Sequence, residues 1–209
     1  LPVSAERPLD GQVALVTGGS RGIGRAIALH LASLGAAVAV GGRDLDALAA
    51  VVGEVEALGS RGFGLRFEVT DTPSLPALIA EVETALGPID ILVNNAGVNR
   101  LRLALDVTEE DWDIVIDTNL RGAFFVAQAV GRGMVERGRG RIVNVASMAA
   151  FKAVSERAAY NSSKAGLVHL TRTLAVEWGP SGVRVNAVCP TFIETELSAG
   201  WLTRPGVRE

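Results

Sequence analysis

The chain has 209 residues, 48% of them hydrophobic, and a formal net charge of −3. That is enough for one domain with a sizeable core, and it excludes a disordered segment. The basic residues are scattered, which argues against a general nucleic-acid surface.

Leu1 to Asp10 read as an N-terminal extension with Pro2, Glu6, Arg7 and Pro8 but no basic stretch followed by an apolar one, so no signal peptide is expected. No apolar run approaches the roughly 18 to 20 residues that span a bilayer. The single cysteine, Cys189, rules out an intrachain disulfide, suits a reducing compartment and reads as a small buried apolar residue. A cytoplasmic protein with neither membrane nor nucleic acid as partner is the expectation. From residue 11 to 209 the pattern is that of one domain. Strands are predicted at Val13 to Thr17, Ala36 to Val40, Phe63 to Val69, Ile89 to Val93, Arg141 to Ala146 and Val183 to Val188. Helices are predicted between them at Gly22 to Leu34, Leu45 to Leu58, Leu75 to Leu86, Glu109 to Glu136 and Ser155 to Trp178. The basic stretch Arg132 to Arg141 reads as a solvated helix end and turn. Apolar strands alternating with helices predict an α/β fold: a single-domain, Rossmann-like, doubly wound parallel sheet with helices on both faces and its ligand at the carboxyl ends of the strands.

The first predicted strand runs into Thr17-Gly18-Gly19-Ser20-Arg21-Gly22-Ile23-Gly24 and then a helix. Glycines at 18, 22 and 24 suit a tight turn, close approach to a pyrophosphate and close helix packing, and the helix N-terminus offers free amides to the anion. In the last long helix, Tyr160 and Lys164 lie four residues apart and share a face. A phenol has a reference pKa of about 10, and a neighbouring ammonium favours the phenolate, so this pair suits general acid/base chemistry. His30 and His169 stand apart from these motifs, and no cluster of Cys, His, Asp and Glu has metal-ligand spacing, so metal-free chemistry is expected.

With its Gly-x-x-x-Gly-x-Gly spacing and Tyr160-x-x-x-Lys164, the chain resembles the short-chain dehydrogenase/reductase family. Three further motifs carry the resemblance from Gly11 to about Leu197: Asn94-Asn95-Ala96-Gly97 after a strand, Asn119 in Asp117-Thr118-Asn119-Leu120, and Ser147 thirteen residues before Tyr160. The resemblance implies an NAD(P)-dependent oxidoreductase acting on a ketone or secondary alcohol, with Asn119, Ser147, Tyr160 and Lys164 as catalytic residues. Tyr160 would protonate the developing alkoxide and Ser147 would donate a hydrogen bond to the same oxygen. Lys164 would hold the nicotinamide ribose and lower the tyrosine pKa, and Asn119 would bind a water that relays protons to Lys164.

The cofactor is expected to contact Gly18, Ser20, Arg21, Gly22, Ile23, Gly24, Arg43, Glu68, Val69, Asn95, Ala96, Gly97, Tyr160, Lys164, Pro190, Ile193 and Thr195, with Val188 and Ile193 flanking the ring. The family's discriminating acid falls at Gly42 here, and Arg43 and Arg21 suit an extra phosphate, so NADP is favoured over NAD. Asp44 is either a competing ribose ligand or the N-cap of the next helix. Family members usually continue for several dozen residues past this C-terminus, and that part of the fold is expected to be missing. A nucleotide-binding scaffold without turnover is therefore the reading of another class. Substrate residues are expected in Val98 to Leu103, Met148 to Val154 and beyond Thr191. Asn99, Arg100 and Arg102 would suit a carboxylate or polyol, as in sugar or polyol dehydrogenases. Phe151 and Val154 would suit an acyl chain, as in 3-oxoacyl thioester reductases. A homo-oligomer, commonly a tetramer packed through the two long helices, is also implied.

Overall fold

The computed structural model describes residues 7–191 and 193. Six strands, β1 (Val13–Thr17), β2 (Ala37–Gly42), β3 (Gly62–Arg66), β4 (Ile91–Asn94), β5 (Gly140–Val145) and β6 (Val183–Val188), form one sheet in the order β3-β2-β1-β4-β5-β6. Every pairing is parallel. The period-two character of a strand divides the apolar residues of β1 between two cores. Val13 and Leu15 face one core, together with residues of α3 (Leu75–Leu86) and α5 (Ala123–Glu136). Ala14 and Val16 face the other, packed by α1 (Gly22–Ser33) and α2 (Leu45–Ala57). The sheet is thus covered on both sides, the doubly wound Rossmann-like arrangement that the alternation predicts. Chain order reverses at β1, whose neighbours are β2 and β4, so the carboxyl ends of β1 and β4 open a crevice there.

The two long predicted helices need correction. The expected single helix Glu109 to Glu136 is α4 (Glu109–Ile116) and α5 joined by a wide π-helical turn, Asp117–Gly122. The turn carries Asn119 inward and lets Gly122 approach β3's exit so closely that a Cβ there would meet the Val69 carbonyl at 2.8 Å. The last long helix, α6, runs Ala158–Trp178 rather than from Ser155. Glu156, just before it, has φ +62°, a left-handed backbone that stops the helix from starting earlier.

A buried polar chain joins the strands that end at the crevice to the helices behind them. Asn94 donates to Asn144 (3.0 Å) and to the Ala123 carbonyl (3.0 Å), Asn144 donates to Thr171 (2.9 Å), and Thr171 donates to the Leu167 carbonyl (2.7 Å). β4, β5, α5 and α6 are thereby held in fixed register. Asn144→Ala is expected to lower unfolding free energy by about 2 kcal/mol, the cost of stranding buried partners. Urea denaturation checks this, and a change below about 0.5 kcal/mol contradicts it.

Candidate active site

The turn between β1 and α1 shows why its glycines stand where they do. Gly18 and Gly22 adopt φ of +63° and +54°, and a Cβ on Gly24 would lie 2.1 Å from the Gly18 carbonyl oxygen. The turn is clamped from β4. The Asn95 side chain donates to the Thr17 and Gly18 carbonyls (3.1 and 3.0 Å), and the backbone amides of Asn95 and Ala96 donate to the Thr17 hydroxyl, each at 3.1 Å. The Arg21 side chain makes no capping bond at the start of α1, and Arg21, Gly22 and Ile23 line the crevice, so the free amides of this helix start suit an anion cradle there. The cradle suits a dinucleotide's pyrophosphate, and a side chain at Gly18 or Gly24 would force the turn out of this shape by meeting Ala96 or the Gly18 carbonyl.

A cleft runs from this cradle over the ends of β2 and β3. Gly18, Ser20, Arg21, Gly22 and Ile23 line it from the turn, Gly42 and Arg43 from β2, Glu68 and Val69 from the exit of β3, and Asn95, Ala96 and Gly97 from β4. Gly24 packs beneath it. β3 ends at Arg66, earlier than expected, so Phe67, Glu68 and Val69 turn across the cleft instead of continuing the strand. Phe67 was not foreseen as a lining residue. Asp44 accepts from the Ala47 amide at 3.1 Å and caps α2, which decides between its two readings. It does not line the cleft.

A second cleft shares Ile23, Asn95 and Gly97 with the first and reaches Ser147, Tyr160 and Lys164. The Lys164 ammonium is buried, donates to the Val145 carbonyl at 2.7 Å and sits 5.7 Å from the centroid of the Tyr160 ring. Burial pulls its pKa down to about 8, and the charge of Cys189 partly opposes that. Cys189 is half-buried and packs against the small cluster that includes Ala146 and Leu167. The Ser147 hydroxyl oxygen accepts from the Ala149 amide at 3.1 Å, which fixes its position at the mouth of β5 and leaves its hydrogen to donate.

Asn119 is buried and lines neither cleft. Its amide accepts from the Val98 backbone N–H (2.8 Å) and donates to the Val98 carbonyl (2.9 Å) and the Ser163 hydroxyl (3.1 Å). It therefore pins the loop after β4 onto α6. Pro190 and Ile193 line the second cleft, Val188 does not, and Thr195 lies outside the described residues. Of the expected substrate residues, Asn99, Met148, Ala149 and Val154 line it. Arg100 and Arg102 instead pair with Asp111 of α4 (3.7 and 3.3 Å), and Phe151 stands 69% exposed to solvent. Arg157 also lines this cleft. It escaped the sequence reading, although its spacing of three from Tyr160 places the two on one side of a helix start. Among the described residues no three His, Cys, Asp or Glu side chains gather as metal ligands, and no helix is long and apolar enough to cross a membrane.

The family described as short chain dehydrogenase matches residues 12–205. The chain belongs to that family. It is an NAD(P)-dependent oxidoreductase acting on CH–OH groups, as the cradle and the Tyr160–Lys164 pair would require. This short-chain dehydrogenase is 46% identical to the D-threitol dehydrogenase of Mycolicibacterium smegmatis over 202 residues, 94% of this chain and 76% of that one. It is 42% identical to a 3-oxoacyl-[acyl-carrier-protein] reductase of Vibrio harveyi, over 91% of this chain and 77% of that one. A gluconate 5-dehydrogenase from Burkholderia cenocepacia, crystallised with NADP and tartrate, superposes with a TM-score of 0.92 at 34% identity, over 97% of this chain and 80% of that one.

Proposed function

We propose that this chain transfers hydride between NADP(H) and a ketone or secondary alcohol, with Tyr160 as general acid/base. The observation that carries this is the junction of the two clefts: the anion cradle opens, through Ile23, Asn95 and Gly97, onto Ser147, Tyr160 and Lys164. The bound nicotinamide supplies or removes the hydride. In the reducing direction Ser147 donates a hydrogen bond to the substrate carbonyl oxygen, and Tyr160 delivers the proton as that oxygen gains charge. Lys164, anchored on Val145, stabilises the phenolate left on Tyr160. Oxidation runs the same steps backward. Asn119 acts as a positioning residue that holds the loop after β4. A relay water would have only the second lone pair of its amide oxygen or its backbone carbonyl to bind. Fluorescence titration with NADPH and NADH, followed by turnover on ketones and alcohols, tests the reading. Binding with no turnover on any substrate would favour a nucleotide-binding scaffold instead.

Preference for NADP rests on Arg43 and Arg21, which line the cleft together with Gly42, the position at which a carboxylate would repel a 2′-phosphate. A Cβ at Gly42 meets nothing nearer than Leu48 at 3.5 Å, so a side chain fits there. Gly42→Asp is expected to reverse the preference from NADPH to NADH, with a change in the ratio of kcat/KM of about a hundredfold, roughly 3 kcal/mol. An unchanged ratio removes this position from the account.

A further inference from the structure

The similarity of the chain to both a tetritol dehydrogenase and an acyl thioester reductase leaves its substrate class to be read from the second cleft itself. One residue that lines that cleft carries an unmet polar demand. The Asn99 side-chain oxygen is buried and has no hydrogen-bond partner among the described residues, although Asn99 lines the same cleft as Ser147 and Tyr160. A buried carboxamide oxygen without a partner carries a desolvation cost that an acyl chain cannot relieve. A hydroxyl is both donor and acceptor, so it satisfies the amide whichever way its two ends are turned.

Arg157 brings a cation to this cleft. Its placement is backbone-determined. The Arg102 amide donates to the Glu156 carbonyl at 3.0 Å, and Arg102 and Arg157 form an isolated parallel bridge. The Asn99 loop and the turn before α6 are therefore held together. Glu156 at that point has φ +62°, a conformation a non-glycine residue adopts at a cost of about 1 kcal/mol or more. Arg100 and Arg102 from the same loop are turned away to Asp111. Of the polar side chains that precede the helix on either side of this bridge, Asn99 and Arg157 are the pair that lines the cleft.

We propose that Asn99 and Arg157 form a hydroxyl-reading wall and that the substrate is a small polyol or its hydroxy-ketone, not an acyl thioester. A substrate hydroxyl donates to the Asn99 amide oxygen while Arg157 donates to the oxygens of that hydroxyl or its neighbour. This rests on the oxidoreductase reading above. A site built to hydrogen-bond a substrate hydroxyl discriminates strongly against the analogue that lacks it.

The test compares kcat/KM on four- to six-carbon polyols and hydroxy-ketones with that on the matching deoxy-ketones and an acetoacetyl thioester, using the full chain. The hydroxylated substrates are expected to be preferred by about a hundredfold or more. Asn99→Leu, similar in shape, is expected to lose most of that preference through a fall in kcat/KM for the hydroxylated substrates, while NADPH binding stays within about twofold. Arg157→Lys keeps the charge but loses the forked donor geometry, and is expected to raise KM for the polyol with little change in kcat. Should Asn99→Leu fail to bind NADPH, Asn99→Ser supplies the same comparison with a shorter side chain. Turnover of deoxy-ketones or the thioester without preference for hydroxylated substrates overturns the proposal and leaves the oxidoreductase reading standing. An Asn99→Leu or Asn99→Ser variant that keeps the full preference overturns it too. A protein that turns over nothing in the panel removes the reading beneath both.

Discussion

Tyr160→Phe is expected to lower kcat by about a thousandfold while NADPH binding stays within about twofold, since positioned proton transfer contributes about 10² to 10⁴ in rate. The substitution keeps the ring that Lys164 faces at 5.7 Å and removes only the transferable proton. Ser147 remains to polarise the carbonyl, so a residual rate above the uncatalysed reaction is expected. Turnover within tenfold of the parent would remove Tyr160 from its role. A second readout is open because the chain contains a single tyrosine. The near-ultraviolet absorbance of tyrosinate therefore titrates this one phenol, and its whole signal is expected to vanish in Tyr160→Phe.

Lys164→Met is expected to move stability and activity in opposite directions. In the folded protein the buried ammonium titrates at about 8, against an ordinary 10.5. The unfolded chain therefore holds the proton more tightly, and the folded state bears the full penalty below pH 8, with relief as pH rises from about 8 to 10.5. That difference corresponds to about 3 kcal/mol. Loss of the 2.7 Å bond to the Val145 carbonyl returns about 1 kcal/mol of it. Lys164→Met is thus expected to gain about 2 kcal/mol at pH 7 in urea unfolding, with the gain shrinking toward pH 10. Turnover falls by about a hundredfold or more, since the phenolate loses its neighbouring cation. In the parent protein the same cation is lost as pH passes about 8. A gain that grew with pH, or turnover kept intact, would contradict this account of the lysine.

Much of the fold and part of the site were legible because they follow from local rules. β1, α3 and β6 run over the residues that the apolar pattern predicted, and the glycines at 18, 22 and 24 mark a turn no other residue could make. What escaped depends on contacts between distant segments. Nothing local in Asp117–Gly122 announces a π-helical turn, which accompanies the pairing of Asn119 with Val98, twenty-one residues away. Arg100 and Arg102 look like substrate groups until the fold brings Asp111 to them. Arg157 looks like an ordinary helix-start charge until the Arg102–Glu156 backbone bond draws its turn against the second cleft. Asp44 had two local readings, and the capping bond to Ala47 selected one.

The clamp on the glycine turn also bears on modularity. The fingerprint occupies a few consecutive residues, yet two of its carbonyls are held by Asn95, 78 and 77 positions downstream. Its shape is accordingly a property of β1 and β4 lying side by side, not of the strand–turn–helix segment that spells it. Transplanting β1, the turn and α1 into another protein would carry over the letters of the motif without the restraint that gives them their form. The smallest portable unit reaches at least from Val13 through Ala96.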